Sequence, residues 1–160
     1  MTSKPFTTCL WFDNQGEEAA HYYMGIFKDS RLGRVRRYTS AGPGAEGTVA
    51  AVEFELNGQK FLALNGGPLY QFNAAVSIVV ECADQAEIDY YWEKLSEGGE
   101  EGPCGWLKDR FGLSWQIAPM TAMGDFLNDP DQGRATRVME AMMKMKKIDL
   151  AALQAAADRG

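Results

Sequence analysis

At 160 residues the chain can bury most of its apolar surface as one ordinary domain or two fused small modules, without disulfide or metal staples. Sixteen Lys and Arg against twenty-two Asp and Glu leave a net charge of −6, a field that repels nucleic acid and anionic membranes. The three cysteines, Cys9, Cys82 and Cys104, are odd in number, widely spaced and outside any CxxC or Cys/His pattern, which fits a reducing compartment. Met1-Thr-Ser-Lys-Pro-Phe6 lacks the hydrophobic stretch of a secretion signal, and no apolar run approaches the ~20 residues of a membrane span. The expectation is a soluble, cytoplasmic protein that binds neither nucleic acid nor membrane.

Thr7 to Phe12 reads as a strand, interrupted by Asn14-Gln-Gly16 before a helix with Ala19, Tyr22, Tyr23 and Ile26 at i, i+3, i+4, i+7. Leu32 to Tyr38 is a short polar strand, and Ala41 to Gly47 is a loop on its glycine and proline content. Thr48–Leu56 alternates with period two and meets Gln59–Asn65 across Asn57-Gly58, a strong hairpin signal. The first module therefore reads β-α-β-β-β and ends at Asn65-Gly-Gly-Pro68. The order then starts again. Ala75 to Glu81 is a β-branched strand, and Cys82-Ala-Asp84 leads into a helix carrying Ile88, Tyr91, Trp92 and Leu95, so that Tyr22-Tyr23 recurs as Tyr90-Tyr91. Glu97 to Pro103 breaks the chain. Gly105-Trp-Leu-Lys-Asp109 and Leu113-Ser-Trp-Gln-Ile117 then flank a turn at Arg110-Phe-Gly112. A repeated supersecondary unit predicts an α+β fold of two βαβββ modules, about 5–65 and 74–119, within a domain spanning 1–119.

Residues 120–160 read as an α-helical extension. Asp129-Pro130 resembles a helix cap with proline at the first position, followed by Ala135, Val138, Met139 and Met142, and Asp149 caps a last helix carrying Leu150, Leu153 and Ala157. Methionine fills irregular gaps and also suits adaptable interfaces, so the extension packs either within the subunit or across a dimer.

Thr8-Cys-Leu-Trp-Phe-Asp-Asn14, Ala19-Ala-His-Tyr-Tyr23, Asn65-Gly-Gly-Pro68 and Cys104-Gly-Trp-Leu-Lys-Asp-Arg-Phe-Gly-Leu-Ser-Trp-Gln-Ile117 together resemble the PhnB-like proteins, labelled 3-demethylubiquinone-9 3-methyltransferase-like. Those belong to the vicinal oxygen chelate superfamily, with the glyoxalases, the bleomycin resistance proteins and the extradiol dioxygenases. The resemblance covers residues 5–119. It implies paired βαβββ modules curling into a cup, with metal ligands on the first and last strands of each. Those positions fall here on Thr7, Leu62, Ala75 and Gln116. Leu62 and Ala75 have no donor atom, while a transition metal needs three or four imidazole, thiolate or carboxylate donors. No metal and no other cofactor is expected. The methyltransferase label finds no support either: a cofactor-cradling glycine loop joins a strand to a helix, whereas Gly42-Pro-Gly44 and Gly66-Gly-Pro68 lie between strands.

Alternation puts Cys9 and Trp11 with Thr7 on one face, Ser77 with Ala75, and Ser114 with Gln116. These residues, together with Asn65 and Phe72 of the connection, form the candidate substrate pocket. Gln116 either anchors a ligand amide or carbonyl or satisfies neighbouring backbone. The Asn65–Phe72 connection is either a lid or a plain crossover. The single histidine, His21, reads as a surface or helix-packing residue, and Arg31, Arg34, Arg36 and Arg37 as an exposed edge strand with anion binding as the alternative. No base stands beside Cys104 in sequence, and no catalytic residue is assigned. Two functions fit: a metal-free binder of a small, partly apolar molecule, or a superfamily enzyme of isomerase, lyase or dioxygenase type working without the usual ligand set. A scaffold role for the methionine-rich tail is a third. A homodimer is expected, since half-sheets leave edges to cover.

Overall fold

A computed structural model describes residues 5–159; residues 1–4, the start of the stretch read above for a leader, lie outside the described residues. The chain divides into two compact units, one running to Phe72 and the other from Asn73 onward. The helical extension is thus part of the second unit.

In the first unit, β1 (Thr8–Phe12) leads into α1 (Gly16–Ile26), followed by β2 (Ser30–Arg37), β3 (Val49–Leu56) and β4 (Gln59–Asn65). The sheet order is β1-β4-β3-β2, with β1 and β4 parallel and the other pairs antiparallel. Asn57 and Gly58 both have positive φ, 47° and 78°, the backbone that a two-residue hairpin needs to match strand twist. One sheet face, carrying Leu10, Phe12, Val52, Phe54, Phe61 and Ala63, is buried with Ala19, Ala20, Tyr23 and Ile26 of α1. Phe54 stacks on Phe61 with ring centroids 5.3 Å apart and on Tyr23 at 6.3 Å, so the core is aromatic at its centre.

The second unit repeats the order: β5 (Ser77–Glu81), α2 (Gln85–Ser96), β6 (Glu100–Glu101), β7 (Trp106–Lys108) and β8 (Ser114–Ala118), in sheet order β5-β8-β7-β6. The sequence does not mark β6. Its two glutamates pair with Lys108 and Leu107, and they lie in the stretch expected to break the chain. They carry none of the apolar alternation by which a strand is read. Ile88, Trp92 and Leu95 of α2 are buried with Leu107, Trp115 and Ile117 of the sheet.

The extension holds α3 (Met120–Leu127), α4 (Gln132–Met142) and α5 (Leu150–Ala157). The cap of α4 is Asp131 rather than Asp129: its carboxylate accepts from Gly133 N and Arg134 N, while Asp129 accepts from Asp131 N one step earlier. Asp149 caps α5 as expected, accepting from Ala152 N at 2.9 Å. Cys104 N and Gly105 N donate to the carbonyls of Met145 and Lys146 at 2.9 and 2.7 Å, and Gln85 of α2 accepts from Leu150 N and donates to Ile148 O. The extension therefore packs within the second unit. No helix among the described residues is long and apolar enough to cross a membrane.

Candidate functional site

Alternation along the strands leaves each sheet a face turned away from its helix. On β1 that face carries Cys9 and Trp11, and the parallel register sets Cys9 opposite Leu62 and Trp11 opposite Leu64. Cys9 is exposed, but partial desolvation pushes its thiol pKa up, which disfavours the thiolate. Trp11 is committed. Its indole Nε1 donates to Gly67 O at 2.8 Å, and its ring stands edge-on to Tyr70 at 5.0 Å. A Cβ on Gly66 would meet that ring at 2.2 Å, so glycine is required where the connection crosses the indole. Gly66 N and Gly67 N also donate to Phe12 O and Asp13 O. These bonds tie the first part of the Asn65–Phe72 connection to the end of β1.

Asn65 and Phe72 lie on the opposite, helix-facing side. Asn65 is 8% exposed; its Oδ1 accepts from Gly16 N at 2.7 Å and its Nδ2 donates to Val49 O at 3.1 Å. Tyr38 OH donates to Asn65 O. Phe72 stands edge-on to the buried Phe12 at 5.2 Å. In position, both belong to the packing of the first unit.

In the second unit the structure brings Ser77, Ser114 and Gln116 together. β5 and β8 set Ser77 beside Ser114 and Val79 beside Gln116, and β7 sets Trp106 across from Gln116. Gln116 Nε2 donates to Ser77 Oγ at 2.9 Å. That bond fixes the amide and leaves Gln116 Oε1 as an acceptor next to the Ser77 hydroxyl proton as a donor. A cleft of about 420 Å³ is lined by Ala74, Pro103, Trp106, Lys108 and Ser114 among others; Ser77 and Gln116 do not line it themselves, but their cross-strand neighbours Ser114 and Trp106 do. Val79, 45% exposed, adds apolar surface to the same face. Trp115 points the other way into the core, so of the two tryptophans flanking the hairpin only Trp106 is presented. Sequence reading passed over the cleft's rim at Ala74 and Pro103, which gave no local signal beyond loop composition.

The hairpin holding these groups is organised by Asp109. This buried carboxylate accepts from Phe111 N and Leu113 N through Oδ1 and from the Trp115 indole through Oδ2, at 2.8, 3.1 and 2.8 Å. Gly112 at φ 85° completes a three-residue loop with its left-handed position.

The ligand positions implied by the fold do not fit a metal. Of Thr7, Leu62, Ala75 and Gln116, the leucine and the alanine have no donor atom, and an alcohol and a neutral amide are left where imidazole, thiolate or carboxylate is needed. Among the described residues, no three His, Cys, Asp or Glu side chains are grouped so as to hold a metal ion. Cys82 is buried, with its pKa pushed up to about 12 by burial first and by Glu87, Glu81 and Asp84 after it. His21 is exposed on α1. Cys104 sits at φ 55° with its sulfur 3.6 Å from Met142 O and 3.7 Å from Met143 Sδ, against the extension.

Residues 4–118 match the family described as 3-demethylubiquinone-9 3-methyltransferase. Among solved structures, the chain is similar to a putative 3-demethylubiquinone-9 3-methyltransferase, PhnB protein, from Bacillus cereus: 35% identity, TM-score 0.64, over 72% of this chain and 98% of that one. It also resembles protein PA1353 from Pseudomonas aeruginosa at 19% identity and TM-score 0.59, over 71% of this chain and 95% of that one. The fosfomycin resistance protein FosX from Listeria monocytogenes, complexed with Mn(II) and sulfate, shares the fold at 16% identity and TM-score 0.53, over 72% and 90%. No curated relative matches the chain by sequence. Two repeated β-α-β-β-β units, matched across nearly the whole of the Bacillus cereus chain, place this protein in the PhnB-like 3-demethylubiquinone-9 3-methyltransferase family of the vicinal oxygen chelate superfamily.

Proposed function

We propose that the protein binds a small, partly apolar molecule at the cleft beside Trp106, without a metal, and that Gln116 and Ser77 fix the molecule's polar end. The observation that carries the reading is the 2.9 Å bond from Gln116 to Ser77. It presents one acceptor and one donor side by side at the edge of an aromatic surface, a pair suited to an amide, a phenol or an alcohol. A cleft of about 420 Å³ suits a ligand of that size. Binding requires no acid or base. Of the cleft's titratable groups, Glu100 and Lys108 are ion-paired at 3.2 Å, and Glu101 accepts from the Trp92 indole at 3.0 Å. No reaction is assigned to it. The activity named in the family description forms no part of the proposal, since both glycine-rich turns lie between strands.

Benzamide carries an apolar ring, a donor and an acceptor, which makes it a suitable probe. In a titration followed by the Trp106 indole resonance, saturable shifts are expected, with Gln116→Leu weakening the affinity about tenfold. Equal affinity in the variant, or no saturable shift in the native protein, removes the reading.

We also propose a cytoplasmic homodimer. Each four-stranded sheet has two edge strands, and Leu69, Tyr70 and Val76 expose large apolar surface. Light scattering at micromolar concentration should return twice the chain mass of 17.7 kDa; a monomer contradicts the dimer.

A further inference from the structure

The first sheet's face away from α1 carries a charge pattern of its own. A cleft of about 400 Å³ there is lined by Arg31, Arg36, Lys60, Glu53, Glu55 and Leu62 among others. Arg34 lies beside it, 3.8 Å from Glu53. Four cations thus face two carboxylates, a local positive excess in a chain whose net charge is −6.

The excess is a product of backbone geometry. Arg31 and Arg36 are five residues apart, an odd spacing that puts them on opposite faces of a regular strand. The pairing of β2 with β3 shifts by one residue between Leu32 and Val35. This bulge restores parity, so that Arg31 reaches Glu55 at 2.8 Å while Arg36 reaches Glu53 at 2.5 Å. The shift needs glycine: a Cβ on Gly33 would stand 2.9 Å from both the Cβ and the carbonyl oxygen of Glu53. Glu53, held by Arg34 and Arg36, and Glu55, held by Arg31, fix the guanidinium groups in place. Lys60 lies cross-strand from Glu55 and makes no ion pair among the described residues.

We infer that this face binds a small phosphate-bearing molecule, with Lys60 and Arg36 as its direct contacts and Arg34 and Arg31 supplying charge around it. Guanidinium forks and an ammonium group match a tetrahedral oxyanion, and an excess of two positive charges suits a dianion. The negative charge of the rest of the chain disfavours long polyanions, so the ligand is a small molecule rather than nucleic acid. The site lies in the other unit from Gln116, and the two readings fail separately.

Inorganic phosphate is the probe, titrated at pH 7.5 and constant ionic strength and followed by amide shifts of the 15N-labelled protein. Saturable shifts confined to Arg31–Arg36, Glu53–Glu55 and Lys60–Leu62 are expected. Lys60→Met should weaken binding about three- to fivefold, and Glu53→Gln, which removes the competing carboxylate, should tighten it by a similar factor. A purely structural lattice of ion pairs gives no such tightening. Absence of saturable shifts, shifts indifferent to both variants, or the same response to chloride at equal ionic strength overturns the assignment. Lys60 is exposed and makes no ion pair among the described residues, so Lys60→Met keeps the test valid even if Glu53→Gln perturbs the fold.

Discussion

Replacing Asp109 by alanine is expected to destabilise the second unit by roughly 3–5 kcal/mol and to lower its melting midpoint by roughly 10–20 °C. The carboxylate is 3% exposed and accepts from two loop amides and from the indole of the fully buried Trp115. Truncation leaves an indole N–H in the core facing a methyl group, and the loop amides must look for water. The cost is set by stranding buried donors more than by the strength of the bonds lost. Asp109→Asn should fall between the two, because an amide oxygen can keep the loop while its NH₂ confronts the indole N–H donor to donor. Denaturant unfolding followed by tryptophan fluorescence measures the loss. A change below about 1 kcal/mol would show that the hairpin is held by its packing alone.

Asn65→Ala should cost the first unit roughly 2–3 kcal/mol. Helix α1 begins without a side-chain cap from its own Gln15, so one of its first amide donors, Gly16 N, depends on Asn65 Oδ1. The same side chain holds Val49 O at the start of β3, which ties helix, first hairpin strand and last strand at one point. Asn65→Asp retains the acceptor and adds a favourable charge at the helix N-terminus, while its second oxygen confronts Val49 O acceptor to acceptor; the helix end is kept and the tie to β3 is lost, so a loss below that of alanine is expected. Unfolding curves for the pair of variants separate this role from ligand binding. If Asn65→Ala melts like the native chain, the clamp is not what the residue is for.

The two modules were legible because their signals are local. Apolar period in Thr48–Leu56, helical spacing in Ala19–Ile26 and Ile88–Leu95, and glycine at both hairpin turns each act over a few residues, and the order of elements repeats. The face shared by Ser77, Ser114 and Gln116 was legible for the same reason, since strand alternation alone assigns it. Asn65 was not. Its partner Gly16 is 49 residues away, and an Asn-Gly-Gly-Pro string looks the same whether it clamps a helix or lines a pocket. The arginine face was hidden by the bulge, because counting by twos sends Arg31 and Arg36 to opposite sides and only the observed register brings them together. β6 is too short to show any period, and α3 follows Pro119 with Gly124 in its interior, a poor advertisement for a helix.

The joint between the extension and the second hairpin is made by main chain on main chain, Cys104 N to Met145 O and Gly105 N to Lys146 O. On the extension's side, these two bonds use only carbonyls and do not depend on which side chains Met145 and Lys146 carry. The methionines from Met142 to Met145 can be exchanged without undoing them, whereas one residue inserted or deleted between α4 and Ile148 puts the wrong carbonyls opposite those two amides. What the tail must preserve is spacing, which leaves its composition open to other demands.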